Sequence, residues 1–150
     1  MKNLFDAATA TEIKQRIARL GPTSTRQWGS MTAAQALAHC ATTMEWAVGD
    51  SFAPRMFLGR IFGPIARSRV LRDEAPLQRN MPTAKTLVVS DERDLARESQ
   101  RLCALIDRFS RGGPQRCTTH PHTFFGTMTP DQWAQLMYKH LDHHLRQFAV

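Results

Sequence analysis

Four segments of this chain carry apolar side chains at the spacing of an amphipathic α-helix, and no part of it alternates over several residues with the two-residue period of strands. The segments run from about Thr9 to Leu20, Ala33 to Val48, Asp91 to Phe109 and Pro130 to Phe148. Between the second and the third lies a long connection, residues 50–89, in which PRMFLGRIFG is compatible with a short helix. The pattern predicts an all-α fold, a four-helix bundle with a long crossover between helices 2 and 3.

Local sequence signals mark where these helices begin and end. Capping boxes, in which a threonine is followed three residues later by a glutamine, open two of the helices, at Thr32–Gln35 and at Thr129–Gln132. Gly49 is a C-terminal stop for the second helix. Ser90 is the predicted N-cap of the third helix, and two glycines follow its end.

The size and composition of the chain are those of a single globular domain spanning residues 1–150, with 42% hydrophobic and 22% charged residues. No apolar run approaches the roughly 20 residues of a membrane-spanning helix. The N-terminal residues lack the apolar core of a secretory signal. The cysteines are odd in number and scattered, which argues against a disulfide framework (Cys40, Cys103, Cys117). We therefore expect a cytoplasmic protein without a membrane partner.

The net charge of +7 is concentrated in an arginine-rich segment, residues 55–72. The segment has no nucleic-acid-binding signature, so nucleic acid is not a predicted partner. A solvated basic face is the simplest interpretation. A partner surface that also uses Met56, Phe57 and Phe62 is the alternative, and a homodimer that pairs through a helix face is a further expectation.

The last helix carries two histidines in the middle of its apolar stripe. At about 100° per residue, with Trp133 at zero, His140 lies near 340° and His144 near 20°, whereas His143 lies on the flank near 280°. Lys139, Gln135, Asp142 and Arg146 fall on the opposite side of this wheel. Imidazoles one helical turn apart are neighbours on a helix face. Buried neutral imidazoles are common ligands of divalent transition metals, so the pair indicates either a metal site or two hydrogen-bonded core residues.

The remaining histidines give less direct signals. His39 lies in the second helix, nearly opposite its strongest apolar stripe, so it is either a half-exposed surface residue or turned inward by burial on two sides. His120 and His122 sit in a proline-flanked loop, where surface or loop-packing roles are favoured. The neighbouring Cys40 points about 100° away from His39, so we expect it to be a small core residue and not a ligand of the same metal.

Two stretches resemble the DinB-like (YfiT-like) superfamily, and specifically a branch of it that is a domain of unknown function: MTAAQALAHCATTMEWAVG and PHTFFGTMTPDQWAQLMYKHLDHHLRQF. The resemblance implies a four-helix bundle that holds one divalent metal ion, zinc, nickel, iron or manganese, through His39, His140 and His144. Many relatives continue HHRGQ where this chain reads HHLRQF. Gln147 therefore keeps its place, whereas Arg146 is displaced by one residue.

The resemblance leaves three functional hypotheses open. The first is a metal-dependent thiol transferase or hydrolase acting on a small molecule, with His143 or Gln147 as an orienting group or proton shuttle and the arginines from Arg60 to Arg72 attracting an anionic thiol. The second is a non-catalytic metal-binding protein. The third is an interaction protein whose histidines pack in a metal-free core. The sequence assigns no catalytic residue.

Overall fold

The computed structural model describes residues 1–81 and 84–150, and within these ranges every regular element is helical. There are five α-helices in this part of the chain: α1 Ala7–Ile17, α2 Ala33–Val48, α3 Phe57–Val70, α4 Leu95–Gly112 and α5 Pro130–Gln147. Two short 3-10 turns, Lys85–Leu87 and Pro114–Arg116, lie in the connections. The prediction of an all-α fold is confirmed. No helix of the described ranges has the length and apolar content to cross a bilayer.

The helix ends follow the capping signals at α2 and α5. Both predicted capping boxes form, and Gly49 ends α2 in the left-handed conformation with φ of 85°. The predicted start of the third long helix is wrong, because α4 begins at Leu95 with Asp94 as its N-cap, four residues after Ser90. The Asp94 carboxylate accepts a hydrogen bond from the Arg97 N–H at 2.7 Å. A carboxylate is also favoured at this end by the helix dipole.

The main apolar core is shared by α1, α2, α4 and α5, and its largest fully buried side chains include Ile13, Met44, Ile106 and Trp133. Helix α2 contacts both α4 and α5. Twelve of its 16 residues are buried as a result. A helix that is covered on two sides turns residues off its main apolar stripe toward neighbours instead of solvent, and His39 is such a residue.

Helix α3 lies in the connection between α2 and α4 and is longer than the short helix that the sequence indicated. Its two buried residues are Gly59 and Gly63, which rest against the backbone of Phe124. Its C-terminal end is fastened to α5 by the buried Lys139, whose Nζ donates to the carbonyl oxygens of Val70 at 2.7 Å and Asp73 at 2.9 Å. The helix therefore docks through a glycine face and leaves most of its apolar side chains exposed.

Replacing Gly59 by alanine is expected to destabilise the protein by about 1–3 kcal/mol, because an added Cβ would lie 2.6 Å from the Phe124 carbonyl oxygen. Inside a helix, alanine is otherwise about 1 kcal/mol more stable than glycine. A Gly59→Ala protein that is less stable than the wild type therefore reveals the close contact with Phe124. Urea denaturation measures the free energy of unfolding, and the rate of proteolytic cleavage within residues 55–72 reports whether α3 stays docked. The control is Gly21→Ala, where no heavy atom lies within 4 Å of the added Cβ. A Gly59→Ala protein as stable as the control would contradict the close docking.

Candidate metal centre

Three histidine side chains from two helices meet inside the protein. His39 comes from the middle of α2, and His140 and His144 come from successive turns of α5. The ring centroids form a nearly equilateral triangle with sides of 4.7, 4.8 and 4.9 Å. The Nε2 atoms of His39 and His140 are 2.9 Å apart. One nitrogen of each ring lies within 4.8 Å of those of the other two, a spacing at which one ion can contact all three.

The His39 ring is oriented by the crossover segment. Its Nδ1 lies 2.9 Å from the carbonyl oxygen of Leu87, the last residue of the 3-10 turn Lys85–Leu87. A carbonyl oxygen can only accept a hydrogen bond, so Nδ1 carries the proton and donates. The Nε2 atom of His39 is therefore the unprotonated nitrogen, and it faces His140.

The His140 ring is oriented by α2. Its Nδ1 lies 3.1 Å from the Thr43 hydroxyl, and that hydroxyl donates its own proton to the Cys40 carbonyl oxygen at 2.8 Å. Because the threonine proton is already used, the Thr43 oxygen accepts from Nδ1–H of His140. The buried Thr43 thus holds His140 in the same tautomer as His39.

The His144 ring is oriented by Gln147, one turn further along α5. Its Nδ1 lies 3.0 Å from Gln147 Oε1, and Gln147 Nε2 donates to the Trp28 carbonyl oxygen at 2.8 Å. The Trp28 carbonyl can only accept, which fixes the orientation of the Gln147 amide and makes Oε1 the acceptor for His144. Gln147 is 3% exposed, so this bridge is shielded from water.

All three imidazoles consequently hold their proton on Nδ1 and turn an Nε2 lone pair toward a common centre. Two lone-pair nitrogens 2.9 Å apart repel each other unless a cation lies between them. Imidazole nitrogens bind zinc and similar ions at about 2.0–2.1 Å, so this spacing suits two ligands of one ion. An oxygen acceptor on the opposite ring nitrogen is the usual partner of a metal-binding histidine. The donor set therefore fits a divalent metal ion.

The surroundings keep these imidazoles neutral, which is the form that binds a metal. Burial lowers the pKa of His144 to about 3, helped by the nearby His39. Burial also places the pKa of His140 well below its ordinary value, with His144 and His39 adding to the effect. The pKa of His39 is lowered by burial, and the hydrogen bond to Leu87 opposes part of that change. Protons therefore compete weakly for the three Nε2 atoms near neutral pH.

A cleft of about 250 Å³ leads to the cluster at His144. Its lining in the described residues contains no Asp, Glu, Lys or Arg side chain; it consists of Trp28, Gly29, Ser30, Met31, Leu77, Gln78, Asn80, Met81, His143, His144 and Gln147. The arginines from Arg60 to Arg72 do not line it, so their predicted role in attracting an anionic thiol has no support in this arrangement. The Arg79 guanidinium stacks on Trp28, 4.2 Å from its ring centroid, so a positive charge lies beside the cleft.

The other three histidines are not part of the triangle, although the His143 ring lies against that of His144 with centroids 5.1 Å apart. His143 packs on Trp28 in the cleft wall, with ring centroids 5.6 Å apart, and does not contact the Nδ1 atoms of the cluster. His120 is exposed and stacks on Phe52 at 3.8 Å. His122 is wedged between Trp46 and Trp133, and its Nδ1 accepts the backbone N–H groups of Phe124 and Phe125, which is a loop-packing role.

Two neighbours of the ligand candidates also lie outside the cluster. Cys40 is 1% exposed in the apolar core and is not part of the metal-ligating group, as expected. Burial raises the pKa of its thiol far above its ordinary value, so it stays protonated. Arg146 pairs with Asp142 at 2.7 Å on the far side of α5. Of the two residues considered for orienting the histidines, Gln147 has that contact and His143 does not.

Several residues that shape the site gave no sequence signal. The Leu87 and Trp28 carbonyl oxygens are backbone atoms brought in by connections, so side-chain identity could not mark them. Thr43 lies one turn after His39 in α2, so it shares the face that a wheel of α2 alone leaves opposite the apolar stripe. Lys139 and Asp142 were placed opposite the apolar stripe of α5, yet both are buried, because each finds a polar partner there: Lys139 on carbonyl oxygens, and Asp142 on Arg16 at 2.8 Å. Trp28 lines the cleft.

Comparison with known proteins places the chain in a family. No curated protein and no solved structure matches it. The DUF1569 family, described as a protein of unknown function, matches residues 3–150. The match spans both helices that carry the histidine cluster, and the chain belongs to the DUF1569 family.

Proposed function

We propose that this chain is a divalent-metal-binding protein whose ligands are His39, His140 and His144, and that it acts as a metal-dependent thiol transferase or hydrolase on a small molecule. The observation that carries the proposal is the convergence of three Nε2 lone pairs, each fixed by a hydrogen bond at the opposite ring nitrogen. Three protein ligands leave at least one position for water or substrate, which is the arrangement of catalytic sites and not of closed structural sites.

A divalent ion at this centre would supply Lewis acidity, which lowers the pKa of a bound water or thiol. The protein residues contribute binding, orientation and proton transfer. The cleft at His144 admits the substrate beside Trp28. Burial lowers the pKa of His143 in the cleft wall, so its imidazole is neutral near pH 7 and able to accept a proton from the substrate. Gln147 fixes the His144 ring so that its Nε2 keeps facing the centre.

The wider assignment is also a proposal. The four helices around the common core, with α3 in the connection between α2 and α4, support a DinB-like four-helix bundle with a long crossover, forming one domain. Zinc, nickel, iron and manganese are all compatible with three imidazole ligands, so availability decides among them. A cytoplasmic location agrees with the three free thiols, and nucleic acid is not a proposed partner. A homodimer is a further proposal, without an assigned interface.

A non-catalytic metal-binding protein is the second candidate, and the small size of the cleft favours it. A cleft of about 250 Å³ lies below the range of roughly 300–1,000 Å³ typical of ligand pockets. In that case water would keep the open position, and the metal would serve stability or a partner.

Metal analysis and turnover separate these candidates. Purified protein should carry about one equivalent of divalent metal, because the three ligands form one site. His39→Ala should lose it, while His120→Ala, which changes an exposed histidine outside the cluster, should keep it. Metal-loaded protein is then assayed with a thiol and a chloro-aromatic or epoxide electrophile. Turnover that is lost when the metal is removed supports the enzymatic function. A protein that binds metal but shows no turnover supports the non-catalytic candidate. A protein that binds no metal overturns both candidates.

Replacing Gln147 by leucine is expected to weaken metal affinity by about 10–100-fold while the helices stay intact, because loss of an orienting hydrogen bond frees the ligand ring. The measurement is a competition titration against a chromophoric chelator, with circular dichroism as the check on folding. Gln135→Leu is the matched control, a glutamine of the same helix outside the site. Equal affinities of the two variants would show that the Gln147 bridge does not position His144.

A further inference from the structure

Helix α3 presents an apolar surface to the outside of the protein. Its outer face consists of five bulky side chains with exposures of 53–74%: Phe57, Leu58, Ile61, Phe62 and Ile65. At about 100° per residue these side chains fall within an arc of roughly 140° that begins at Phe57. The buried Gly59 and Gly63 lie near 200° and 240° on the same wheel. The outer face is therefore directed away from the surface on which α3 is docked.

Positive charge lies around this outer face and also within it, because Arg69 falls near 120° on the same wheel. Residues 55–72 contain Arg55, Arg60, Arg67, Arg69 and Arg72 and no acidic residue. Within the described ranges, only Arg72 of these five forms an ion pair, with the adjacent Asp73. An apolar face bordered by unpaired arginines has the composition of a helix that lies in the plane of an anionic membrane surface.

One flank of α3 adds a cavity for an anionic group. The cavity has a volume of about 610 Å³ and is bordered by Arg55, Pro64, Arg67 and Thr127 together with the first residues of α5. Arg67 Nη1 donates to the Thr127 carbonyl oxygen. The Nε atom of Arg55 is buried and has no hydrogen-bond partner in the described part of the chain. The guanidinium groups of Arg55 and Arg67 thus border one cavity, and such groups bind phosphate oxygens through charge-assisted hydrogen bonds.

We propose that α3 docks the protein onto an anionic phospholipid surface. The outer face enters the boundary between headgroups and acyl chains, and a lipid phosphate occupies the cavity between Arg55 and Arg67. A second copy of the chain is a poorer occupant, because joining two outer faces would bring the arginines of both copies together without a carboxylate on either helix. This departs from the expectation of no membrane partner, which rested on the absence of a spanning segment and not on the facing of α3.

The test is sedimentation of the full chain with vesicles of phosphatidylcholine, with and without phosphatidylglycerol. Binding should require phosphatidylglycerol and weaken as salt is raised. Ile65→Ser should reduce the partition coefficient about tenfold, because it removes apolar surface from the buried face. Arg67→Gln should reduce it about fivefold. The matched controls are Val88→Ser, an exposed apolar residue outside α3, and Arg111→Gln, an exposed arginine on α4. Neither control should change binding.

Light scattering and metal content complete the design. A monomer that binds anionic vesicles, loses binding with Ile65→Ser and keeps its metal supports the proposal independently of the metal centre. Three results would overturn it: no sedimentation with either vesicle, equal sedimentation with both, or a dimer in solution that Ile65→Ser converts to a monomer without any vesicle binding. The last result would assign the outer face to a second copy.

Discussion

Removing the proposed divalent metal with a chelator is expected to lower the melting temperature of this protein by about 8–16 °C. A ligand that binds only the folded state adds about 4 kcal/mol at 1,000 times its dissociation constant, and a domain of this size shifts by about 2–4 °C per kcal/mol. The effect should be large here because chelation leaves three inward-facing Nε2 lone pairs, two of them 2.9 Å apart, without a cation. Thermal unfolding followed by circular dichroism, with metal and with chelator, measures it.

The histidine variants show whether the stabilisation comes from this site. His140→Ala removes one of the three proposed ligands, the histidine whose Nε2 lies 2.9 Å from that of His39, so its melting temperature should be the same with metal and with chelator. His120→Ala should respond like the wild type, since His120 stacks on Phe52 at the surface. A chelator effect that persists in His140→Ala would place the stabilising metal elsewhere. If His140→Ala does not fold, His39→Ala provides the same comparison from α2.

Acidification from pH 6.5 to about 4 is expected to cost about 3 kcal/mol of unfolding free energy through His122 alone. Burial lowers the pKa of His122 to about 4, and the nearby Arg55 contributes to the lowering. Between pH 6.5 and about 4 the His122 imidazole therefore binds a proton in the unfolded chain and stays neutral in the folded protein. The stability contribution is fully present above pH 6.5, declines as the pH falls, and levels off below the folded-state pKa.

The comparison of wild type with His122→Gln isolates this residue from the metal centre. Both proteins are denatured with urea at a series of pH values in chelator, so that the cluster contributes equally to each. The wild type should lose more stability than the variant between pH 6.5 and 4, and the difference should level off below pH 4. Parallel stability curves would show that His122 is accessible to protons in the folded protein. If acidification made the wild type more stable than His122→Gln, the pKa of His122 would be raised by folding and not lowered.

The helices were predictable where the information is local. The capping boxes at Thr32 and Thr129 depend on side chains three residues apart, so the sequence suffices to place them. The start of α4 was misplaced because Ser90 and Asp94 are both competent caps, and the choice between them depends on where the crossover packs. Local signals identify candidates for a helix end, and the tertiary contacts select among them.

The facing of His39 shows the limit of a single-helix argument. A helical wheel compares a residue only with the other residues of its own helix, and on that basis His39 lay opposite the apolar stripe of α2. Packing against both α4 and α5 buried twelve of the 16 residues of α2 and brought His39 to His140. The outer face of α3 shows the opposite outcome, in which apolar residues are exposed. Its apolar side chains point outward because the helix docks through Gly59 and Gly63.

The sequence by itself determined an all-helical protein, the limits of α2 and α5 to within one residue, and the pairing of His140 with His144, because each of these depends on residues within a few turns of one another. The tertiary structure decided which nitrogen of each histidine faces the centre, which backbone carbonyls orient the rings, and which side of α3 meets solvent. Those features join residues about 50 to 120 positions apart in the chain, such as His39 with Leu87 and Gln147 with Trp28, and only long-range packing brings such groups into contact.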